Sequence, residues 1–228
     1  NVAPRVGGRL SYYGEATGPG GTNDAVGRAV FNTGMEGLFK ASQTWPGVTN
    51  RFLAMDGLRH IFEPSVDYAY VPTPSALPSQ LPQFDYQLPS LRLLPINYPA
   101  YNSIDSIDSQ NVMRLSLRNW FQTKRRGKIE NLFYWDLYTD WRLTPTAGQS
   151  TFAGLYSDFV FRPRQWLVFN SSMVYDVQSG QLELAYHSFA LVPNNTWSLS
   201  LGHLYTEPTS TSSTTSGVNS SLTSTFFY

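Results

Sequence analysis

The chain has 228 residues, of which 15% are aromatic and only 14% charged, against roughly 25% charged in an average soluble domain. Lys plus Arg equals Asp plus Glu at 16 each, so no global field draws the chain to nucleic acid or to an anionic membrane surface, and the absence of cysteine excludes a disulfide scaffold and a thiolate metal site. No apolar run approaches the roughly 20 residues of a transmembrane helix, and the opening NVAPRVGG, with no initiator Met and no apolar h-region, is expected to continue a longer chain.

The pattern along the chain is that of strands. About ten are expected, at 5–14, 28–41, 58–71, 111–123, 130–143, 151–162, 166–177, 181–192, 196–206 and 221–228. Most exceed the five or six residues of a soluble strand and approach the 9 to 11 that cross a bilayer at a tilt. In the second, Phe31, Met35 and Phe39 alternate with Arg28, Glu36 and Lys40. The third alternates Leu58, His60, Phe62, Val66, Tyr68 and Tyr70 with Arg59, Glu63, Ser65 and Asp67. The fourth sets Met113, Leu115, Leu117 and Phe121 against Arg114 and Arg118; the fifth sets Phe133, Trp135, Leu137, Trp141 and Leu143 against Glu130, Asp136, Asp140 and Arg142. The sixth and seventh place Leu155, Phe159 and Phe161 opposite Asp158, then Leu167, Phe169, Met173 and Tyr175 opposite Asn170 and Asp176. The eighth is expected to place Leu182, Leu184 and Tyr186 opposite Glu183 and His187, and the ninth Trp197, Leu199 and Leu201 opposite Ser198 and Ser200. No expected strand carries a charge on its apolar face.

Any half-buried antiparallel sheet alternates in this way, and the connections discriminate further. Those at 15–27, 72–110, 144–150 and 207–220 are long, and the Ser/Thr run 209–216 within the last is expected to be a mobile loop. Those around Arg126-Gly127, Pro163-Arg164 and Pro193-Asn194 are tight. Long loops at one end and short turns at the other characterise outer-membrane barrels. Two connections break the rule, a long one at 42–57 and a tight one at Ser179-Gly180. Rings gather toward strand ends, at Tyr12, Tyr13, Tyr68, Tyr70, Trp120, Phe121, Trp166 and Tyr205, where interfacial girdles would lie. The fold class expected is all-β, an antiparallel transmembrane β-barrel of about ten strands here and part of a larger one, because a sheet with unpaired edges cannot stand alone in lipid.

The segment RHIFEPSVDYAYVP, then PQFD, then IDSIDSQNVMRLSLRNWF resembles the barrel domain of the outer-membrane lipopolysaccharide-assembly proteins, the LptD or OstA family. The residues that carry the resemblance are His60, Glu63, Pro64, Tyr68, Tyr70, Pro82, Phe84 and Asp85, followed by Asp105, Asp108 and Asn111. The stretch at 104–108 lacks the Gly-Asp-Arg often found there, and family cysteines have no counterpart. The resemblance implies that 1–228 is the C-terminal part of a barrel in the outer membrane of a Gram-negative bacterium. The N-terminal periplasmic domain and the remaining strands would lie outside it. It implies insertion of lipopolysaccharide into the outer leaflet, without catalysis or cofactor. The implied partners are lipopolysaccharide, membrane lipids, a plug lipoprotein of the LptE type and a periplasmic bridge protein of the LptA type.

A sugar-phosphate head crosses a dry layer at low cost only through a polar lumen. The charged face would line it, with Arg59, Glu63, Asp67, Arg114, Arg118, Asp136, Asp140 and Asp158 as lumen-facing candidates. The mixed signs equally suit a wall of mutually paired, hydrated charges. His60 and Glu63 fall on opposite faces of their strand, as do His187 and Ser188, which does not suit a catalytic pair. Pro64 cannot donate to the ladder and marks weakened pairing. Asp105 and Asp108 suit either a divalent cation or, with the larger prior, turn chemistry. The basic turn 124–128 suits anionic lipid heads or, with the larger prior, solvent. A general porin and a ten-stranded outer-membrane hydrolase remain the alternatives.

Overall fold

The computed structural model describes residues 1–15, 24–85, 92–97, 104–146, 148–194, 196–207 and 219–227. It is all-β apart from one 3-10 turn at Pro78–Gln80. The strands are β1 (Val2–Tyr13), β2 (Val26–Leu38), β3 (Ala41–Asn50), β4 (Met55–Val71), β5 (Gln110–Arg125), β6 (Lys128–Arg142), β7 (Leu155–Arg164), β8 (Leu167–Asp176), β9 (Gln181–Leu191), β10 (Ser198–Thr206) and β11 (Asn219–Phe227). They form one 11-stranded sheet in the order β1-β2-β4-β5-β6-β7-β8-β9-β10-β11, with β3 paired to β4. Every pairing with a described register is antiparallel. The path ends at β1 and β11, so the sheet is not closed within this chain. The Ser/Thr run 209–216 lies outside the described residues.

By compactness the chain divides into two units, Asn1–Leu38, Ser65–Leu115 and Asp140–Phe152 in the first, and Phe39–Pro64, Ser116–Thr139 and Ala153–Tyr228 in the second.

The strand β3 replaces the long connection expected at 42–57. β2 pairs the C-terminal part of β4 (Leu38↔Ser65) and β3 its N-terminal part (Ala41↔Phe62) in the same register. The gap between β2 and β3 falls opposite Pro64: Phe39 donates its N–H to the Pro64 carbonyl at 3.1 Å, but proline has no N–H to return. A register shift between Trp45 and Thr49, at Pro46-Gly47, further broke the sequence period. The true connection is the turn at 51–54, which restores the rule of short turns at that end. The tight turn after Asp176 stays an exception.

β9 corrects a second expectation. Its ladder with β8 steps from Val174↔Leu184 to Tyr175↔Leu182, leaving Glu183 as the extra residue of a bulge. A bulge exchanges the faces of everything beyond it. His187, Phe189 and Leu191 therefore share the face of Phe169 and Leu167, while Leu184 and Tyr186 share that of Val174 and Ser172. The expected strand at 151–162 also starts later, at Leu155, while 151–154 meets β6 through the isolated bridge Trp141↔Phe152 and bonds from Arg142 N–H to the Thr151 carbonyl and from the Thr139 hydroxyl to the Ala153 carbonyl.

Exposure on this sheet is inverted relative to a soluble protein. On β1 Val6 is 75% and Leu10 86% exposed, and on β11 Leu222 is 79% exposed. Along β2, Arg28 and Asn32 are buried while Phe31 and Met35 are exposed. A contiguous apolar surface of this kind is stable only against another apolar phase. Arg125 stands at an apolar-face position of β5, and the step in the β7–β8 ladder from Phe161↔Phe169 to Arg164↔Leu167 turns Arg164 to the side of Leu167 as well.

Candidate functional site

In the first unit the residues at 72–85, 92–97 and 104–109 fold back onto the polar face of β1, β2 and β4. Val30 and Val71 pack with Ile107; Tyr13 packs with Ala76 and Leu81; Ala69 and Val112 pack with Ile96. Buried Arg28 donates to the carbonyls of Ile104 and Asp105, each at 3.1 Å, and to that of Ile107. Asp85 accepts the backbone N–H groups of Ile104 and Asp105, while Asp105 accepts that of Phe84 at 2.9 Å and the Tyr13 hydroxyl at 2.5 Å. Burial acts to raise the Asp105 pKa, but the bonds from Tyr13, from Phe84 and around Asp85 outweigh it and hold the carboxyl below its usual range. Asp108 accepts the N–H of Ser109 at 2.6 Å. Both carboxylates are thus engaged in turn and clamp chemistry.

Two ion pairs stand on the polar face of this unit. Asp67 meets the guanidinium of Arg5. Arg114 grips Asp140 in a forked pair at 2.7 and 2.9 Å and donates to the Leu94 carbonyl at 2.6 Å. The fork matches a carboxylate, and Asp140 is only 8% exposed.

In the second unit Glu63, 6% exposed, lies between Arg118 at 3.2 Å and Lys40 at 3.5 Å. The Lys40 ammonium also stands 5.9 Å from the centre of the Trp120 ring. Asp136 and Asp158 are directly opposite one another in the β6–β7 ladder, an arrangement that repels unless each charge is separately solvated. Hydroxyls do this: Ser116 (2.8 Å) and Tyr134 (3.2 Å) donate to Asp136, and Ser172 (2.6 Å) and Tyr138 (3.1 Å) to Asp158. Arg59 instead lines a cavity of about 480 Å³ with Asp56, Gln122 and Lys124. The arrangement is a polar wall whose charges are largely paired with one another, not a cluster of cations aimed outward.

The signature residues take structural places. His60 Nε2 lies 3.0 Å from Asn119 Oδ1, and Tyr68 donates to Asn111 Oδ1 at 3.2 Å. Pro82 is buried, and Tyr70 is exposed on the face of Met35 and Tyr68. Of the expected girdle, Tyr13 and Trp120 sit on the polar face instead, the first bonded to Asp105 and the second 5.5 Å from Tyr134. A ring at a strand end is assigned to a face only by the period of its neighbours, and Tyr12-Tyr13 and Trp120-Phe121 each offer one ring to both.

The apolar face of the second unit carries a ladder of rings that the alternation alone did not reveal. His60 stacks on Phe121 at 4.2 Å; Phe133, Phe159 and Phe169 follow at successive centroid distances of 5.3, 4.6 and 6.0 Å. His187 and His203 extend it at 6.3 and 6.0 Å, and His203 Nε2 ends 3.0 Å from Ser220 Oγ. Each of β4 to β10 contributes one ring, at spacings that suit edge or stacked contacts. All three histidines therefore lie in this ladder on the apolar face.

A family model described as LptD: LPS transport system D matches residues 37–226. No curated protein matches the chain.

Proposed function

The chain belongs to the LptD family, whose members serve lipopolysaccharide transport at the Gram-negative outer membrane, and we propose that its eleven strands form part of the wall of a larger barrel, with the polar face lining the route of the sugar-phosphate head. The inverted exposure of the sheet carries this reading. Apolar side chains stand out on one face while Glu63, Asp140 and Arg28 are buried on the other, as a wall between hydrocarbon and water requires. The unpaired edges of β1 and β11 call for further strands, because open edges are not tolerated in lipid. Arg59, Glu63, Asp67, Arg114, Arg118, Asp136, Asp140 and Asp158 then face the lumen. Their mutual pairing gives a hydrated surface over which an amphiphile's head can slide without a tight binding step. A plug lipoprotein of the LptE type and a bridge protein of the LptA type complete the assembly, and the short turns face the periplasm.

Photoreactive side chains placed in the full-length protein in cells test this. Probes at Ser116 and Ser172, on the polar face, are expected to capture lipopolysaccharide, and probes at Leu117 and Phe169 to capture phospholipid. Lipopolysaccharide adducts absent from the polar face would overturn the proposal.

A further inference from the structure

We propose that the short-turn end of the second unit binds the phosphate of an anionic phospholipid headgroup, in a pocket lined by Arg51, Lys124, Arg126, Arg164 and Trp166. The pocket encloses about 410 Å³, and its lining holds five cations against one carboxylate, Asp56. The fifth cation, Arg125, is spent on the backbone: it donates to the carbonyls of Leu53, Ala54, Arg162 and Pro163 and pairs with Glu130. The other four meet no carboxylate within ion-pair distance among the described residues. Arg164 is held in place by donating to the Arg51 carbonyl at 2.7 Å. Forked guanidiniums beside an ammonium suit a phosphate better than they suit each other, since their repulsion is relieved only by an anion.

The backbone adds an independent sign. Among the described residues, two that are not glycine hold φ in the left-handed region, Ala54 at 48° and Arg126 at 49°, and both line this pocket. The turn Arg126-Gly127 places arginine where tight hairpins favour asparagine or aspartate. The position is thus occupied by the cation at a conformational cost, which a ligand would offset. Trp166, 44% exposed, fixes the level of the pocket, because tryptophan settles among headgroups at a bilayer surface. That level, and hence the choice of a membrane phospholipid over a soluble anion, rests on the barrel reading above.

The test uses the full-length protein in nanodiscs of phosphatidylethanolamine with a minor share of phosphatidylglycerol, with lipid retention read by native mass spectrometry. Arg126→Asn, which suits the left-handed turn, and Lys124→Gln are each expected to weaken phosphatidylglycerol retention roughly fivefold. Phosphatidylethanolamine retention is expected to stay unchanged. Lys128→Gln, a neighbouring cation outside the lining, is expected to leave both as they were. An equal loss from Lys128→Gln would mean diffuse surface charge and overturn the site, as would unchanged retention in both pocket variants. Displacement of the lipid by equimolar inorganic phosphate would overturn the lipid assignment. Failure of the wild-type protein to enter the disc would overturn the barrel reading itself, whereas entry with unchanged retention overturns only the pocket.

Discussion

Asp85 and Asp105 clamp each other's segments: Asp85 accepts the N–H groups of Ile104 and Asp105, and Asp105 accepts that of Phe84. Two carboxylates far apart in sequence thus tie the segments at 84–85 and 104–105 together over the polar face. Removing either partner leaves backbone donors unmet in a half-buried place. Asp85→Ala and Asp105→Ala are each expected to cost about 2 kcal/mol of local stability. Hydrogen exchange at the Phe84 and Ile104 amides of the full-length protein should speed up accordingly, while that of β8 stays unchanged.

The same clamp sets an acid limit. Its hydrogen bonds hold the Asp105 carboxyl below the ordinary 3.8, so the charged form is favoured in the fold. The contribution is complete above that ordinary value and is lost as pH falls through the depressed one. Exchange at the Phe84 amide should therefore show an acid-induced opening below about pH 4. In Asp105→Asn that transition should be missing.

Arg114 and Asp140 offer a test of pairing on the polar face. Each is largely buried, and loss of one leaves the other's charge without its partner, at a cost of about 3 kcal/mol. A double-mutant cycle with Arg114→Met and Asp140→Leu should show the double variant more stable than the Asp140→Leu single variant. Additive losses in the unfolding free energies would count against a coupled pair.

Arginine at Leu117 or Trp135 is expected to destabilise the folded protein by about 2 to 4 kcal/mol, the cost of a charge facing mid-bilayer. At Ser116, one position away but on the polar face, the same substitution should cost far less. Equilibrium unfolding in liposomes would compare the three, and equal effects would contradict the assignment of faces.

Gly34 tests the close approach of β2 and β4. A Cβ at this position would collide with the Tyr68 carbonyl oxygen and meet the Arg5 guanidinium at 3.3 Å. Backbone cannot yield cheaply, so Gly34→Ala should cost about 1 to 3 kcal/mol. Gly27→Ala, in open space on the same strand, should be nearly neutral, and thermal unfolding of the two variants separates the cases.

Strand positions and most faces were legible because period-2 alternation survives wherever one side meets an apolar phase. What escaped the sequence lies where that period is interrupted locally. Pro64 and Pro46-Gly47 hid β3, whose residues are exposed throughout, and the Glu183 bulge carries no mark in the order of residues. The signature residues Phe84, Asp85 and Asp105 could be recognised as belonging together, but their bonds join segments about 20 residues apart and follow from no local pattern. Arg125 looked like one more cation in a basic turn. Its role emerges only once three separate segments, at 53–54, at Glu130 and at 162–163, are brought within reach of it.

That reach has a consequence for how the molecule comes together. The donors of one side chain are shared among the turn that follows β3, Glu130 of β6 and the last residues of β7, so no single hairpin can satisfy them. Until all three have arrived, the guanidinium must stay in water, and β5 cannot seat its final residue. Arg125 therefore ties the seating of β5 to two segments that are not its hairpin partner, and a charge stands on the apolar face only because their carbonyls meet it.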